Sequence, residues 1–115
     1  MPLSALLTVD VIEALENYLE RNRPPVEIRK KLDLGYMIDG PSVLIFEIRP
    51  AWNNPSVIRE HPVAKTTYIK TKQQWKVLWR RAIGNWESYK PNPMVKTIHA
   101  FIKLVEDDKY ACFFG

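Results

Sequence analysis

The residues most suited to chemistry in this sequence are cations that alternate with aromatic rings in its second half. They are Trp75, Lys76, Trp79, Arg80, Trp86, Tyr89 and Lys90. Single-stranded nucleic-acid binders combine these residue types, because bases stack on rings and phosphates pair with Lys or Arg. A half-buried strand shows the same alternation, and that is the commoner explanation for Trp75 and Trp79. Trp52 and Trp86 lie next to turns or loops, so we keep them, with Tyr89, as candidate stacking rings.

The excess positive charge lies in the same part of the chain. The 115 residues have a net charge of +4, to which residues 65–96 contribute +7 and all other residues −3. Such a local excess attracts phosphates and other anions, although a solvated face rich in Lys is the more common cause. We therefore predict a non-catalytic binding module for RNA, single-stranded DNA or an acidic protein surface. Its candidate anion-binding residues are Lys65, Lys76, Arg80, Arg81 and Lys90.

An enzyme is the alternative interpretation of the same region. A small metal-independent ribonuclease would use cations such as Arg80 to hold phosphate and Glu47 or His99 to transfer protons, with Arg49 close to Glu47. Convergence of Glu47, Arg49 and Arg80 in one concave pocket would favour the enzyme. Cations spread over a flat face would favour the binding module.

No pattern in the sequence predicts a metal, a cofactor or a membrane span. Cys112, His61 and His99 lack the spacing of zinc ligands, and the four glycines never cluster into a phosphate loop. We interpret Cys112 as a buried small apolar residue. The longest apolar run, Val43 to Phe46, is far shorter than the roughly 20 residues of a membrane helix. We expect a cytoplasmic protein without cofactor or membrane contact, and a homodimer stays open.

The elements that must position these residues begin with a helix. Apolar residues at three- and four-residue spacing predict a helix from about Thr8 to Asn22, with Thr8 as its N-cap. Further along, the stretch from Pro50 to Pro62 contains three prolines. Because proline cannot donate to a sheet ladder, this stretch predicts a long ordered loop.

Residues 32–49, between the helix and that loop, predict a β-hairpin that turns at residues 39–41. We prefer a three-residue loop, because its register places the apolar residues of both strands on one buried face. The four charged residues of the opposite face then form a square of acids and bases, which predicts a structural salt-bridge network. The pairs in this register are Leu34 with Phe46, Asp33 with Glu47 and Lys31 with Arg49.

Strand patterns resume at Lys65 and predict a three-strand meander that reaches Lys90. A last helix follows, capped by Asn92 or Thr97, and we expect Trp79 and Phe101 in the core between this helix and the sheet. The fold class is therefore α+β: an N-terminal helix, a largely antiparallel sheet of about five strands, a C-terminal helix packed on the sheet and a short apolar tail. One domain is expected to span residues 1–115.

Five spaced fragments of the second half resemble a known family. They are FEIRPAW, PVAKTTYIK, WKVLWRRA, WESYKPNP and YACFFG, and the resemblance spans roughly residues 32–115. The family is a small bacterial one that is catalogued as a domain of unknown function. The resemblance implies a compact bacterial cytosolic protein and suggests neither an activity nor a cofactor.

Overall fold

Two α-helices pack on one face of an antiparallel sheet in residues 2–114, the part of the chain that this computed structural model describes. The elements are α1 (Ala5–Asn22), a 3-10 turn (Val26–Ile28), β1 (Asp33–Asp39), β2 (Ser42–Ala51), β3 (Asn54–Ile69), β4 (Gln74–Arg80), β5 (Trp86–Ser88), β6 (Met94–Val95) and α2 (Ile98–Asp107). The strands follow the order β1-β2-β3-β4-β5, and β6 pairs with the same strand β4. The predicted α+β class is confirmed. Neither of the two helices described is long and apolar enough to cross a bilayer.

Helix α1 begins one turn earlier than the apolar spacing predicts. Ser4, not Thr8, is the N-cap, since the Ser4 hydroxyl accepts a hydrogen bond from the Leu7 backbone N–H at 3.2 Å. Thr8 lies inside the first turn, where its hydroxyl donates to the Ser4 carbonyl at 2.8 Å. The helix ends at Asn22, as predicted, and buries one face against the sheet and α2. The buried residues are Val11, Ala14, Leu15 and Tyr18.

The β1–β2 hairpin has a different register from the one predicted. Asp39 pairs with Ser42 across a two-residue turn, so Leu34 lies opposite Glu47 and not opposite Phe46. Gly40 takes a positive φ of +57°, the conformation that a two-residue hairpin turn requires at its first central position. The two faces of β2 are both apolar, so the alternation of side chains does not define which face is buried.

The predicted charge square is wrong for the same reason. Asp33 lies opposite Ile48, and its carboxylate accepts two hydrogen bonds from Arg23, each 2.7 Å long. Glu47 pairs instead with Arg49 of its own strand, at 3.6 Å. A shift of one residue in register moves a side chain to the other face, which separates Asp33 from Glu47.

The expected loop from Pro50 to Pro62 is also wrong, because most of it belongs to strands. Strands β2 and β3 extend beyond the rest of the sheet as a two-stranded arm, residues 49–60, which turns at Trp52 and Asn53. The ladder shifts between Ile45 and Phe46 and again between Pro50 and Ala51. Bulges and free strand edges are the places where a sheet tolerates proline, so the arm accommodates its prolines there.

The predicted meander and last helix are present. Thr97 is the N-cap of α2, and its hydroxyl accepts from the Ala100 N–H at 3.1 Å, so Asn92 is not the cap. Phe101 is fully buried, as predicted, whereas Trp79 is half-buried and packs against the edge of the core. The core lies between the helices and the sheet, and its centre holds Val43, Ile45, Ala64, Trp75, Val77, Ile98 and Val105.

Candidate functional site

The sheet has one face against the helices and one face that the helices leave open. Residues paired across antiparallel strands project to the same face, so the register identifies both sets. The buried residues Val43, Ala64 and Val77 define the helix face. Their neighbours along the strands define the open face: Met37, Leu44, Lys65, Thr67, Lys76, Leu78, Arg80, Trp86 and Met94.

Three predicted cations lie on the open face. Lys65 of β3 pairs with Leu78, whose neighbours along β4 are Lys76 and Arg80 by alternation. Lys76 and Arg80 are exposed, and Lys65 is half-buried. Among residues 2–114, no carboxylate lies within 4.0 Å of these three cations. Their positive charges are therefore not neutralised by neighbours in that part of the chain. We call Lys65, Lys76, Arg80 and Trp86 the basic face.

The ring of Trp86 lies among these cations. Trp86 pairs directly with Arg80 across β4 and β5, and the Lys65 ammonium lies 5.9 Å from the centre of the Trp86 ring. A cation over an aromatic face is attracted by the ring quadrupole, which holds Lys65 and Trp86 together. One face of the half-buried Trp86 ring is therefore occupied by Lys65.

The other predicted residues of this set lie elsewhere. Arg81 forms an ion pair with Glu87 at 3.1 Å, and its guanidinium lies 5.8 Å from the ring centre of Trp79. Glu87 and Trp79 both belong to the helix face. Lys90 is exposed in the turn after β5. Tyr89 is 2% exposed, so the prediction that its ring stacks on a base is wrong.

Tyr89 is instead part of the core, where the C-terminal tail holds it. Its ring packs on Phe113 at 5.0 Å, and burial raises the pKa of the Tyr89 hydroxyl. The Asp108 carboxylate accepts hydrogen bonds from the backbone N–H groups of Phe113 and Phe114, at 3.0 and 2.9 Å. Cys112 is half-buried rather than buried, and desolvation raises the pKa of its thiol. A raised pKa keeps a thiol protonated, which is the state of a structural cysteine.

Two clefts border the arm. The first, about 580 Å³ in volume, lies between β3 and the β4–β5 loop, and Arg59, Glu60, His61, Pro62, Arg80, Ala82, Ile83 and Gly84 line it. The second, about 460 Å³, lies at the arm itself and includes Arg49, Trp52, Arg59 and His61. The sequence pattern does not single out Arg59, because the neighbouring prolines indicate a loop. If this segment is assigned as a strand, the two-residue spacing of Arg59 and His61 places both side chains on the same side of it.

Trp52 stands at the tip of the arm with its ring 95% exposed. A ring of this size is rarely left in water, because large apolar side chains normally contribute to cores or interfaces. Trp52 is therefore accessible from solvent, whereas Trp75 lies in the core.

The residues of the enzyme hypothesis do not meet in one cavity. Arg80 lines the cleft beside the β4–β5 loop, and Arg49 lines the cleft at the arm. Glu47 is bound to Arg49 at 3.6 Å and lines neither cleft. His99 lies on α2 and faces Asp10 of α1, at 3.4 Å. The convergence of Glu47, Arg49 and Arg80 that would favour catalysis is absent from the described residues.

A cavity larger than either cleft lies away from the basic face. It has a volume of about 890 Å³ and is formed by the start of α1 and the β3–β4 turn. Leu3, Leu6, Leu7, Tyr68 and Ile69 make most of its wall apolar. No residue of the basic face lines this cavity.

Comparisons with other proteins identify a family. Neither the curated proteins nor the solved structures include a match to this chain. A family model described as "Domain of unknown function (DUF3024)" matches residues 3–115. The match confirms the resemblance of the second half and extends it through α1. The chain belongs to this family.

Proposed function

We propose that this protein is a binding module for single-stranded nucleic acid and that the open face of its sheet is the binding surface. The observation that carries the proposal is the Trp86 ring, whose centre lies 5.9 Å from the Lys65 ammonium and which pairs with Arg80, on an antiparallel sheet face that the helices leave uncovered. Proteins that bind single strands without sequence preference combine a cationic surface with aromatic rings.

The charges support an anionic partner. Lys65, Lys76 and Arg80 lie on adjacent strands, and strands are spaced about 4.8 Å apart. Lys65 lies opposite Leu78, midway between Lys76 and Arg80, so its backbone is about 8 Å from that of each, whereas Lys76 and Arg80 are about 13 Å apart along β4. The Debye length is about 8 Å at physiological salt, so the potential of Lys65 reinforces that of both other cations. No carboxylate within residues 2–114 comes within 4.0 Å of them.

The aromatic rings favour a nucleic acid over an acidic protein surface. A surface that binds an acidic protein needs only cations, whereas a surface that binds single-stranded nucleic acid also needs aromatic rings on which the bases stack. Trp86 offers such a ring inside the basic face, and the exposed Trp52 offers a second one at the tip of the arm. Lys65 must leave the Trp86 ring, or the base must use the opposite side of that ring.

Fluorescence anisotropy with a labelled single-stranded RNA tests the proposal. We expect binding at low salt and a linear fall of log K with log[salt], with a slope of about −0.7 for each phosphate contact. The double variant K65A/K76A should reduce the magnitude of this slope by about 1.4, because two such contacts are lost.

The matched control is the variant K103A. Lys103 is an exposed lysine of α2, on the helix layer, so K103A changes the net charge without changing the open face. We expect K103A to keep the wild-type slope. Absence of RNA binding by the folded wild-type protein at low salt would refute the proposal, and so would equal slopes for K65A/K76A and the wild type. Binding of an acidic polypeptide in place of RNA would also refute it.

A further inference from the structure

The cleft between the arm and the β4–β5 loop collects basic side chains from two separate elements. Arg59 and His61 come from β3, and Arg80 comes from the end of β4. Within its lining, Glu60 is the acidic residue, and no ion pair within 4.0 Å joins it to a cation among residues 2–114. Two arginines against one glutamate therefore leave the lining with an excess of one positive charge.

The Arg80 side chain lies against the β4–β5 loop. An ideal Cβ atom built on Gly84 would lie 3.4 Å from the Arg80 Nη2 atom, so the guanidinium group lies against the Gly84 backbone. Gly84 has a φ of +94°, a conformation that glycine adopts without strain. The loop thus brings the guanidinium of Arg80 to the wall of the cleft.

Arg59 faces Arg49 directly across the arm. The two arginines are register partners of β2 and β3, and opposed like charges destabilise a strand pair. Arg49 has a partner in Glu47, at 3.6 Å, whereas no carboxylate of residues 2–114 lies within 4.0 Å of Arg59. An anion held by Arg59 would offset this repulsion.

We propose that this cleft binds a phosphate group through Arg59 and Arg80, with His61 as a further hydrogen-bonding side chain. Guanidinium groups bind phosphate through two parallel hydrogen bonds, which makes arginine the residue best suited to a phosphate oxyanion. Two arginines from different elements can approach the anion from two sides. Our choice of ligand rests on the proposed function, in which the phosphate belongs to a single strand.

The surroundings of the cleft fit an internal phosphate of a strand. Arg80 belongs both to this cleft and to the basic face. Arg59 and His61 also line the neighbouring cleft, which contains the exposed Trp52. The register places Arg59 and His61 on the side of Glu47, opposite the basic face, so a strand that crosses the sheet edge at Arg80 can enter the cleft and place a base against the Trp52 ring.

Titration of the isotope-labelled protein with inorganic phosphate tests the cleft without nucleic acid. We expect NMR shift changes at the Nε–Hε groups of Arg59 and Arg80 and at the Gly84 amide, and their absence with chloride at equal ionic strength. Equal changes with both salts, or no change with phosphate, would overturn the inference.

RNA binding by the variant R59A identifies the source of the phosphate. Arg59 is exposed, so the fold should survive its loss, and the variant's own NMR spectrum verifies this. We expect R59A to bind single-stranded RNA about tenfold more weakly, and R59K to recover only part of the loss, since lysine lacks the two-pronged geometry. The control K103A should bind as the wild type does.

The outcomes separate the two proposals. If the wild type binds RNA and R59A binds equally well, the phosphate inference is overturned and the open face stands. If the wild type does not bind RNA, the proposed function fails. In that case phosphate-specific shifts at Arg59 and Arg80 support the cleft as a site for free phosphate, and their absence overturns it.

Discussion

Gly35 lies where the ring of Phe46 crosses the edge strand. An ideal Cβ atom on Gly35 would lie 2.6 Å from the Phe46 Cε2 atom and 3.3 Å from the Ile48 Cδ1 atom. Phe46 is 7% exposed, although its register position is on the open face. Because Gly35 has no side chain, the Phe46 ring can lie directly over it. The ring shields this part of the sheet from water.

The variant G35A is expected to destabilise the protein by about 1 to 3 kcal/mol, because the added methyl group forces the buried Phe46 ring to move. Urea denaturation measures the loss. The double variant G35A/F46L should lose less than the sum of the two single variants, since leucine leaves room for the methyl group. Additive losses in this cycle would show that Phe46 does not limit the size of residue 35.

At the scale of the element, the arm presents an aromatic ring that the fold does not use. Trp52 is 95% exposed, so replacing it removes almost no buried surface. We expect W52A to keep the wild-type urea midpoint while RNA affinity falls about five- to a hundredfold, the loss of one stacked base. Fluorescence anisotropy measures the affinity.

The control for W52A is L6A. Leu6 is 87% exposed on α1, which belongs to the helix layer, so L6A removes a similarly exposed apolar side chain far from the open face. We expect L6A to bind RNA as the wild type does. Unchanged RNA affinity in W52A, with a normal fold, would remove the arm tip from the binding surface.

The arm also shows where sequence patterns stop being informative. Prolines in residues 50–62 argue against a central strand, because every backbone N–H of a central strand donates to a neighbour and proline has none. The same argument does not apply to an edge strand. Here each arm strand has one neighbour, and the ladder shifts beside Pro50 and near Pro62. Free edges and bulges remove the need for those N–H donors. Arg59 therefore escaped prediction together with its strand.

The sequence pattern of β4, in contrast, predicts correctly which side chains are buried, because the two faces of this strand differ in polarity. Trp75 and Val77 are buried while Lys76 is exposed, so period-two alternation separates the two faces correctly. Strand β2 lacks this contrast, since Val43, Ile45 and Phe46 are all buried. Its register depends on the Gly40-Pro41 turn, which the pattern of apolar residues does not reveal.

At the scale of the whole molecule, the last turn of α1 is tied to two other elements by carboxylates. Arg23 binds Asp33 of β1 with two hydrogen bonds of 2.7 Å. Arg21 and Asn22 bind Glu106 of α2, at 3.0 and 2.6 Å for their shortest hydrogen bonds. Hydrogen bonds from Arg23 hold the pKa of Asp33 below its ordinary value, and those from Arg21 do the same for Glu106.

These lowered pKa values predict a loss of stability in acid. A carboxyl group whose pKa is lower in the folded state than in the unfolded chain stabilises the fold at pH values above its unfolded pKa, about 4. That contribution declines as the pH falls through about 4 and disappears below the folded pKa. The free energy of unfolding should therefore decrease on acidification, although the exposed arginines keep the effect modest and sensitive to salt.

Urea denaturation between pH 7 and pH 3 checks this with the variants D33N and E106Q. Each variant should be less stable than the wild type at pH 7, and the difference should shrink as the pH falls, because the wild type then loses the ion pair that the variant already lacks. The control E20Q replaces an exposed glutamate of α1 that has no ion pair within residues 2–114. Its stability should follow the wild-type curve at every pH. A constant difference between D33N and the wild type across this range would show that the Arg23–Asp33 pair does not contribute to the acid sensitivity of the fold.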